Sequence, residues 1–174
     1  MQQRSSRRPS GSTRRNTPPS DDPVARAVGL LARRAHSRWE LRRKLLMKGF
    51  GADAVEAAIA RLAELGYLND AAFAHSLVRR RGALRGPLAL SAELAAKGVD
   101  RAEAAAAVAE FGPEAQVASA TRLAERLFIR NPAMSYREML ASVGAKLIRR
   151  GFPVAVVTAA CRSVLATAAQ QPED

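Results

Sequence analysis

Three stretches of this chain register on one another, and that triplication limits the possible folds more than any other feature. ELRRKLLMKGFGADAVEAAIARL from Glu40, ALSAELAAKGVDRAEAAAAVAEF from Ala89 and SVGAKLIRRGFPVAVVTAACRSV from Ser142 align on Gly49, Gly98 and Gly151. Four residues before each Gly stands Leu45, Leu94 or Leu147, and directly before it a cation, Lys48, Lys97 or Arg150. Phe50, Val99 or Phe152 follows directly. The same offsets then bring Val55, Ile59 and Leu62, then Ala104, Val108 and Phe111, then Val157, Cys161 and Val164. A period of roughly 50 residues with its own helix, turn and helix marks one supersecondary unit repeated. A unit of roughly 45 residues sits near the lower limit for independent folding, so each must bury surface against its neighbours. The expected fold is all-α, an elongated array of three tandem three-helix repeats behind a disordered basic N-terminal tail.

Local signals divide the array. Residues 1–22 contain no Leu, Ile, Val or Phe and cannot supply a core, so they read as the tail. Repeat one is expected over 23–68, repeat two over 69–112 and repeat three over 113–167, with 168–174 as a C-terminal tail. Val24, Val28 and Leu31 place a first helix that ends near His36. Ser37 with Glu40 is a capping-box signature that restarts the chain as a second helix to Lys48. Gly49 supplies the left-handed residue that ends it, and a third helix carries Val55, Ile59 and Leu62 to Gly66. Repeat two follows with a helix from about Asp70 through Phe73, Leu77 and Arg81, a second opened by Gly86-Pro87, and a third capped by Asp100 with Glu103. Repeat three has Val117, Ala120, Ala124 and Leu127 in one helix, a break at Asn131-Pro132, the Ser135 and Glu138 box, and a turn at Gly151. Its last stretch, VAVVTAAC, reads as helix because the repeat register outweighs the β propensity of its valines.

The net charge of +12 points to a polyanionic partner. Bases outnumber acids in the tail and in every repeat, by 9 to 5 over residues 23–70, so the charge belongs to the body as well as to the tail. A single cysteine excludes an internal disulfide framework and fits a reducing, cytoplasmic setting. Cys161 shares its ladder position with Ile59 and Val108 and is expected to be buried. No apolar run reaches membrane-spanning length, and the first 22 residues lack the apolar segment of a signal peptide.

Catalytic and cofactor chemistry finds no support. Neither phosphate-binding glycine pattern occurs. His36 and His75, with one distant cysteine, make no zinc ligand set. His36 is expected to be solvated or locally bonded, and Glu40 to pair with Lys44 along its helix. The expected sites are therefore catalytic none, metal none and cofactor none. Candidate contacts for DNA or a partner lie instead in the basic clusters: Arg33, Arg34, Arg38, Arg42, Arg43, Lys44 and Lys48 in repeat one, Arg79, Arg80, Arg81 and Arg85 in repeat two, Arg149 and Arg150 in repeat three. The cations preceding the turn glycines also suit a helix C-terminus. Three consecutive arginines repel one another, a cost that a polyanion relieves while releasing counterions. With few aromatics a base-stacking platform is not expected.

LARRAHSRWELRRKLLMKGF (Leu31 to Phe50), GYLNDAAFA (Gly66 to Ala74) and RGPLALSAELAAKGV (Arg85 to Val99) resemble, in order and spacing, the RecX regulatory proteins of bacteria. The resemblance covers about residues 24–112, and LIRRGF extends it to the third turn. It implies a modulator, not an enzyme. Such a protein binds the RecA filament assembled on single-stranded DNA, lies in its groove and restrains ATP hydrolysis and strand exchange. It also implies a monomer with weak, sequence-independent DNA contact and no membrane partner. Carried over by position, Gly66, Tyr67, Leu68, Asp70 and Phe73 are structural, with Tyr67 and Phe73 packing where repeat one meets repeat two. Where the family often has basic residues after Gly86-Pro87, this chain has Ala89, Leu90 and Ser91. A helix-turn-helix transcription factor is the alternative, since a three-helix bundle with a tight turn at Gly49 has that outline.

Overall fold

A computed structural model of the chain describes residues 22–128 and 134–170. Among these the regular structure is helical. The first unit comprises α1 (Pro23–Leu31), α2 (Arg38–Leu46) and α3 (Ala52–Glu64), and the second α4 (Asp70–Arg81), α5 (Pro87–Ala96) and α6 (Arg101–Ala109). The third opens with α7 (Pro113–Leu127). Its middle helix runs without a break through α8 (Tyr136–Met139), a π-helical turn (Leu140–Gly144) and α9 (Ala145–Arg149), and α10 (Val154–Gln170) closes it. Ser135 precedes Gly151 by four residues more than Ser37 precedes Gly49, and the widened π turn lies within that longer helix.

Capping residues set the starts. Asp22, Ser37, Asn69, Asp100 and Ser135 accept backbone N–H bonds in the first turns, while prolines open α1, α5 and α7, where no intrahelical donor is needed. Gly49, Gly66, Gly98 and Gly151 have φ of 87°, 77°, 69° and 84°, a left-handed conformation that side chains disfavour. The triplicated leucines Leu45, Leu94 and Leu147 are wholly buried, as is Cys161, whose thiol is pushed up in pKa by that burial.

The apolar residues form two cores. Ala27, Leu41, Leu45, Val55, Ile59, Leu62 and Leu68 make that of unit one. The second is continuous across units two and three, from Phe73, Leu90 and Leu94 to Met139, Phe152 and Val157. The joints between units follow one rule, in which the glycine turn of each unit docks on the start of the preceding unit's middle helix. At the first joint the Ser37 hydroxyl donates to the Lys97 carbonyl, Lys97 Nζ donates to Glu40 at 2.9 Å, and Gly98 lies so close to Trp39 that an added Cβ would meet its Cβ at 2.4 Å. Asp70 adds a bond, accepting from the Arg38 backbone N–H at 2.9 Å. At the second joint Gly86 N–H donates to the Arg150 carbonyl at 2.8 Å and Leu88 N–H to that of Gly151 at 3.1 Å. A Cβ on Gly151 would stand 2.3 Å from the Ala89 nitrogen.

Several expectations need correction. The first helix ends at Leu31, not near His36, because the chain unwinds through Ala32–Arg34 before Ser37 caps α2. Val24 and Leu31 pack against the core as expected, but Ala27 is the fully buried residue of the helix and Val28 faces outward. His36 is not solvated: it is 4% exposed, with Nδ1 lacking a hydrogen-bond partner and 3.6 Å from Glu40. Tyr67 is only partly held at the joint: it is 60% exposed and borders a shallow pocket with Leu31, His36 and Phe73, while Leu68 and Phe73 are buried in the cores on either side. Glu40 joins Arg34 and Lys97, not Lys44, because the docked turn brings Lys97 within reach. The break at Asn131-Pro132 and residues 1–21 of the tail lie outside the described residues.

Candidate polyanion-binding surface

Helix chemistry distributes the basic side chains unequally between structural work and solvent. In unit one Arg34 donates to Glu40 at 3.2 and 3.3 Å and to the Ala35 carbonyl. Burial opposes the Glu40 charge, yet the Arg34 and Lys97 hydrogen bonds outweigh it and hold the carboxyl down at about 2. Burial foremost, then the Arg34 and Lys44 charges, lower the pKa of neighbouring His36. Arg42 is bonded to Glu56 of α3, and Arg43 lies over the Trp39 ring with its guanidinium carbon 5.5 Å from the centroid. Arg33, Arg38 and Lys48 are exposed, with no ion pair among the described residues, and Lys44 is half-buried.

In unit two the arginine run closes α4, where cations favour the helix C-terminus. Arg81 and Arg85 turn toward Glu93 of α5, at 3.7 and 3.8 Å, so one member of the triplet is held by an acid. Arg79 and Arg80 are exposed and have no acidic partner among the described residues. Arg79 lines an open cavity of about 410 Å³ with His75, Glu110, Phe111 and Arg122, and His75 Nδ1 lies 2.9 Å from Glu110. In unit three Arg149 is exposed, while half-buried Arg150 serves the second joint through its carbonyl.

The structure thus groups Arg33, Arg38, Arg43 and Lys48 on unit one, Arg79 and Arg80 on unit two and Arg149 on unit three as cations without an acidic partner among the described residues. It removes Arg34, Arg42, Arg81 and Arg85 from that set. Sequence reasoning missed Arg122, whose neighbourhood with Arg79 arises because α4 and α7 line one cavity. It also missed that Trp39, 42% exposed, lies beside a shallow groove with Arg42, Arg43, Leu46 and Met47. The clue was present, since Trp39, Arg42, Arg43 and Leu46 share one helix face at helical spacing.

Comparison with known proteins agrees with this architecture. The model for "RecX, first three-helix domain" matches residues 24–62, and that for "RecX, second three-helix domain" residues 69–108. Regulatory protein RecX of Stenotrophomonas maltophilia strain K279a is 40% identical over 146 residues, covering 83% of this chain and 86% of that protein. The chain belongs to the RecX family. RecX of Xanthomonas oryzae pv. oryzae strain MAFF 311018 is 51% identical over 90 residues, a match spanning 51% of this chain and 56% of that relative. The crystal structure of RecX from Lactobacillus salivarius superposes with a TM-score of 0.73 at 26% identity, over 82% of this chain and 94% of that one. A second crystal structure, of regulatory protein RecX, gives 0.69 at 26% identity over 77% of this chain and 68% of that one. The chain spans little more than half the length of the Xanthomonas relative, and its three turns and two joints are its own version of the RecX repeat. Among the described residues no helix is long and apolar enough to cross a membrane, and no cluster of His, Cys, Asp and Glu could hold a metal ion.

Proposed function

We propose that this chain is a cytoplasmic, non-enzymatic regulator that binds the RecA filament on single-stranded DNA and inhibits its ATPase, recombinase and co-protease activities in DNA repair and the SOS response. Membership of the RecX family carries the reading. The distribution of cations supports it: among the described residues, cations without acidic partners occur on all three units, as suits a partner long enough to meet each of them. Phosphates of the filament DNA and acidic patches of its protein subunits are the groups such cations would meet, with release of counterions. Arg79 and Arg80 are the leading contacts, followed by Arg33, Arg38, Arg43, Lys48 and Arg149. Arg34, Arg42, Arg81 and Arg85 contribute to the field while holding the fold.

Binding of the full chain to RecA filaments on labelled single-stranded DNA, measured across salt concentrations, tests the assignment. Changing Arg79 and Arg80 together to Ala is expected to weaken affinity and flatten its dependence on salt. Unaltered affinity and salt slope would remove these residues from the contact surface. Tight binding to one duplex sequence without RecA would favour a transcription factor instead.

A further inference from the structure

The rule that joins the units leaves two complementary parts unused. Each docked turn offers a carbonyl, a cation and a left-handed glycine to a helix start. The turn of unit one offers the same set, Lys48, Gly49 and the carbonyl between them, with nothing within 4 Å of the position a Gly49 Cβ would take. Beside it Leu46 is 42% and Met47 75% exposed. The helix start of unit three, Ser135 to Glu138, likewise receives no turn from any of the described residues. Its serine hydroxyl is bonded at 2.8 Å to Glu138 of its own box, whereas the Ser37 hydroxyl is bonded to an incoming carbonyl. Ser135 stands where Ser37 does, Glu138 where Glu40 does, and Lys48 where Lys97 does.

We infer that a second copy of this chain docks head-to-tail, the Lys48–Gly49 turn of one copy seating on the Ser135–Glu138 helix start of the next. Ser135 then donates to the Lys48 carbonyl, and Glu138 pairs with the Lys48 ammonium, as Ser37 and Glu40 do with Lys97 within the chain. The charge match is specific. The second joint has Ala89 at the acid position, so Glu138 supplies what a lysine turn needs. The contact is heterologous and repeats the direction of the array, so it extends instead of closing on itself. One turn on one helix start is far smaller than a stable interface, so the dilute protein is a monomer and the contact forms at high local concentration. The inference stands apart from the proposed filament target, since it uses only the chain's own joints.

The experiment is carbodiimide cross-linking of the full chain near about 1 mM, where millimolar contacts are populated. An equal mixture of natural-abundance and ¹⁵N-labelled protein is used, with the linked peptides mapped by mass. A Lys48–Glu138 link between differently labelled copies, in a ladder that continues past the dimer, is the expected result. Lys48→Glu and Glu138→Lys each abolish the concentration-dependent growth in mass seen by light scattering, and the two changes combined in one chain restore it. Lys48 is exposed, so Lys48→Glu keeps the fold, as circular dichroism will verify even where Glu138→Lys loosens α8. Links confined to one chain, a ladder that stops at two, or growth in mass indifferent to both charge reversals would overturn the inference.

Discussion

Ser37-Arg38-Trp39-Glu40 and Ser135-Tyr136-Arg137-Glu138 open equivalent helices with the same Ser-x-x-Glu pattern, yet the two serve different ends. At Ser135 the box closes on itself: Glu138 N–H donates to the serine oxygen, and the Glu138 carboxylate accepts the Ser135 N–H at 2.7 Å. At Ser37 only the first half forms. The hydroxyl instead donates to the Lys97 carbonyl, and Glu40 leaves the cap to take Arg34 and Lys97. The difference is the arrival of a neighbouring turn, which competes for the same two groups and wins because it brings a full positive charge into a half-buried site. A local cap and an inter-unit clasp are thus alternative uses of one motif. The clasp matters at the first joint, where unit one has its own core, more than at the second, where units two and three share one.

The largest expected contrast lies in the turns. Gly151→Ala forces a Cβ against the Ala89 backbone besides straining φ, and should cost more than about 3 kcal/mol in denaturant unfolding. Gly49→Ala has the strain without the collision and should cost only about 1 kcal/mol. Equal losses would mean that the second joint does not depend on close backbone approach.

Next comes the clasp itself. Glu40→Gln, which leaves Lys97 short of its counter-charge, should cost about 2 kcal/mol, whereas Glu138→Gln should leave the melting temperature nearly unchanged. The same contrast extends to acid. The unfolded chain binds a proton on Glu40 near 4.5, and the folded chain only near about 2, so its contribution is complete above pH 4.5 and is lost as the pH falls from there to about 2. Acid unfolding of the Glu40→Gln variant should lack that component.

A smaller separation is expected at the serines. Ser37→Ala removes a buried hydroxyl with two partners and should cost about 2 kcal/mol, against about 1 kcal/mol for Ser135→Ala. Trp39, the chain's one tryptophan, reports the first joint directly. Lys97→Ala should shift its emission to longer wavelength, whereas the same change at Lys48 should leave the emission of the dilute protein alone.

Most of the helices, the caps at Ser37, Asp100 and Ser135 and the three glycine turns were legible because each rests on contacts within one unit: Leu45, Leu94 and Leu147 fill cores at a fixed distance from a residue that must adopt positive φ. Even the valine-rich α10 followed from the register. What escaped depended on how one unit meets another. No spacing along α2 announces that Glu40 will find Lys97 more than fifty residues away. Tyr67 illustrates the converse, since an aromatic in a joining segment suggests packing, but Leu68 and Phe73 already occupy the cores there. Among the candidate contacts, the charge clusters were visible as composition. Which cations are held by acids, as Arg42 is by Glu56 and Arg81 by Glu93, required the packing of neighbouring helices.

Titrating this protein into RecA hydrolysing ATP on single-stranded DNA measures the central claim most directly. The account predicts that the hydrolysis rate falls at substoichiometric amounts, as expected for an array that spans several subunits of the filament, and a rate unchanged at several-fold excess would contradict it.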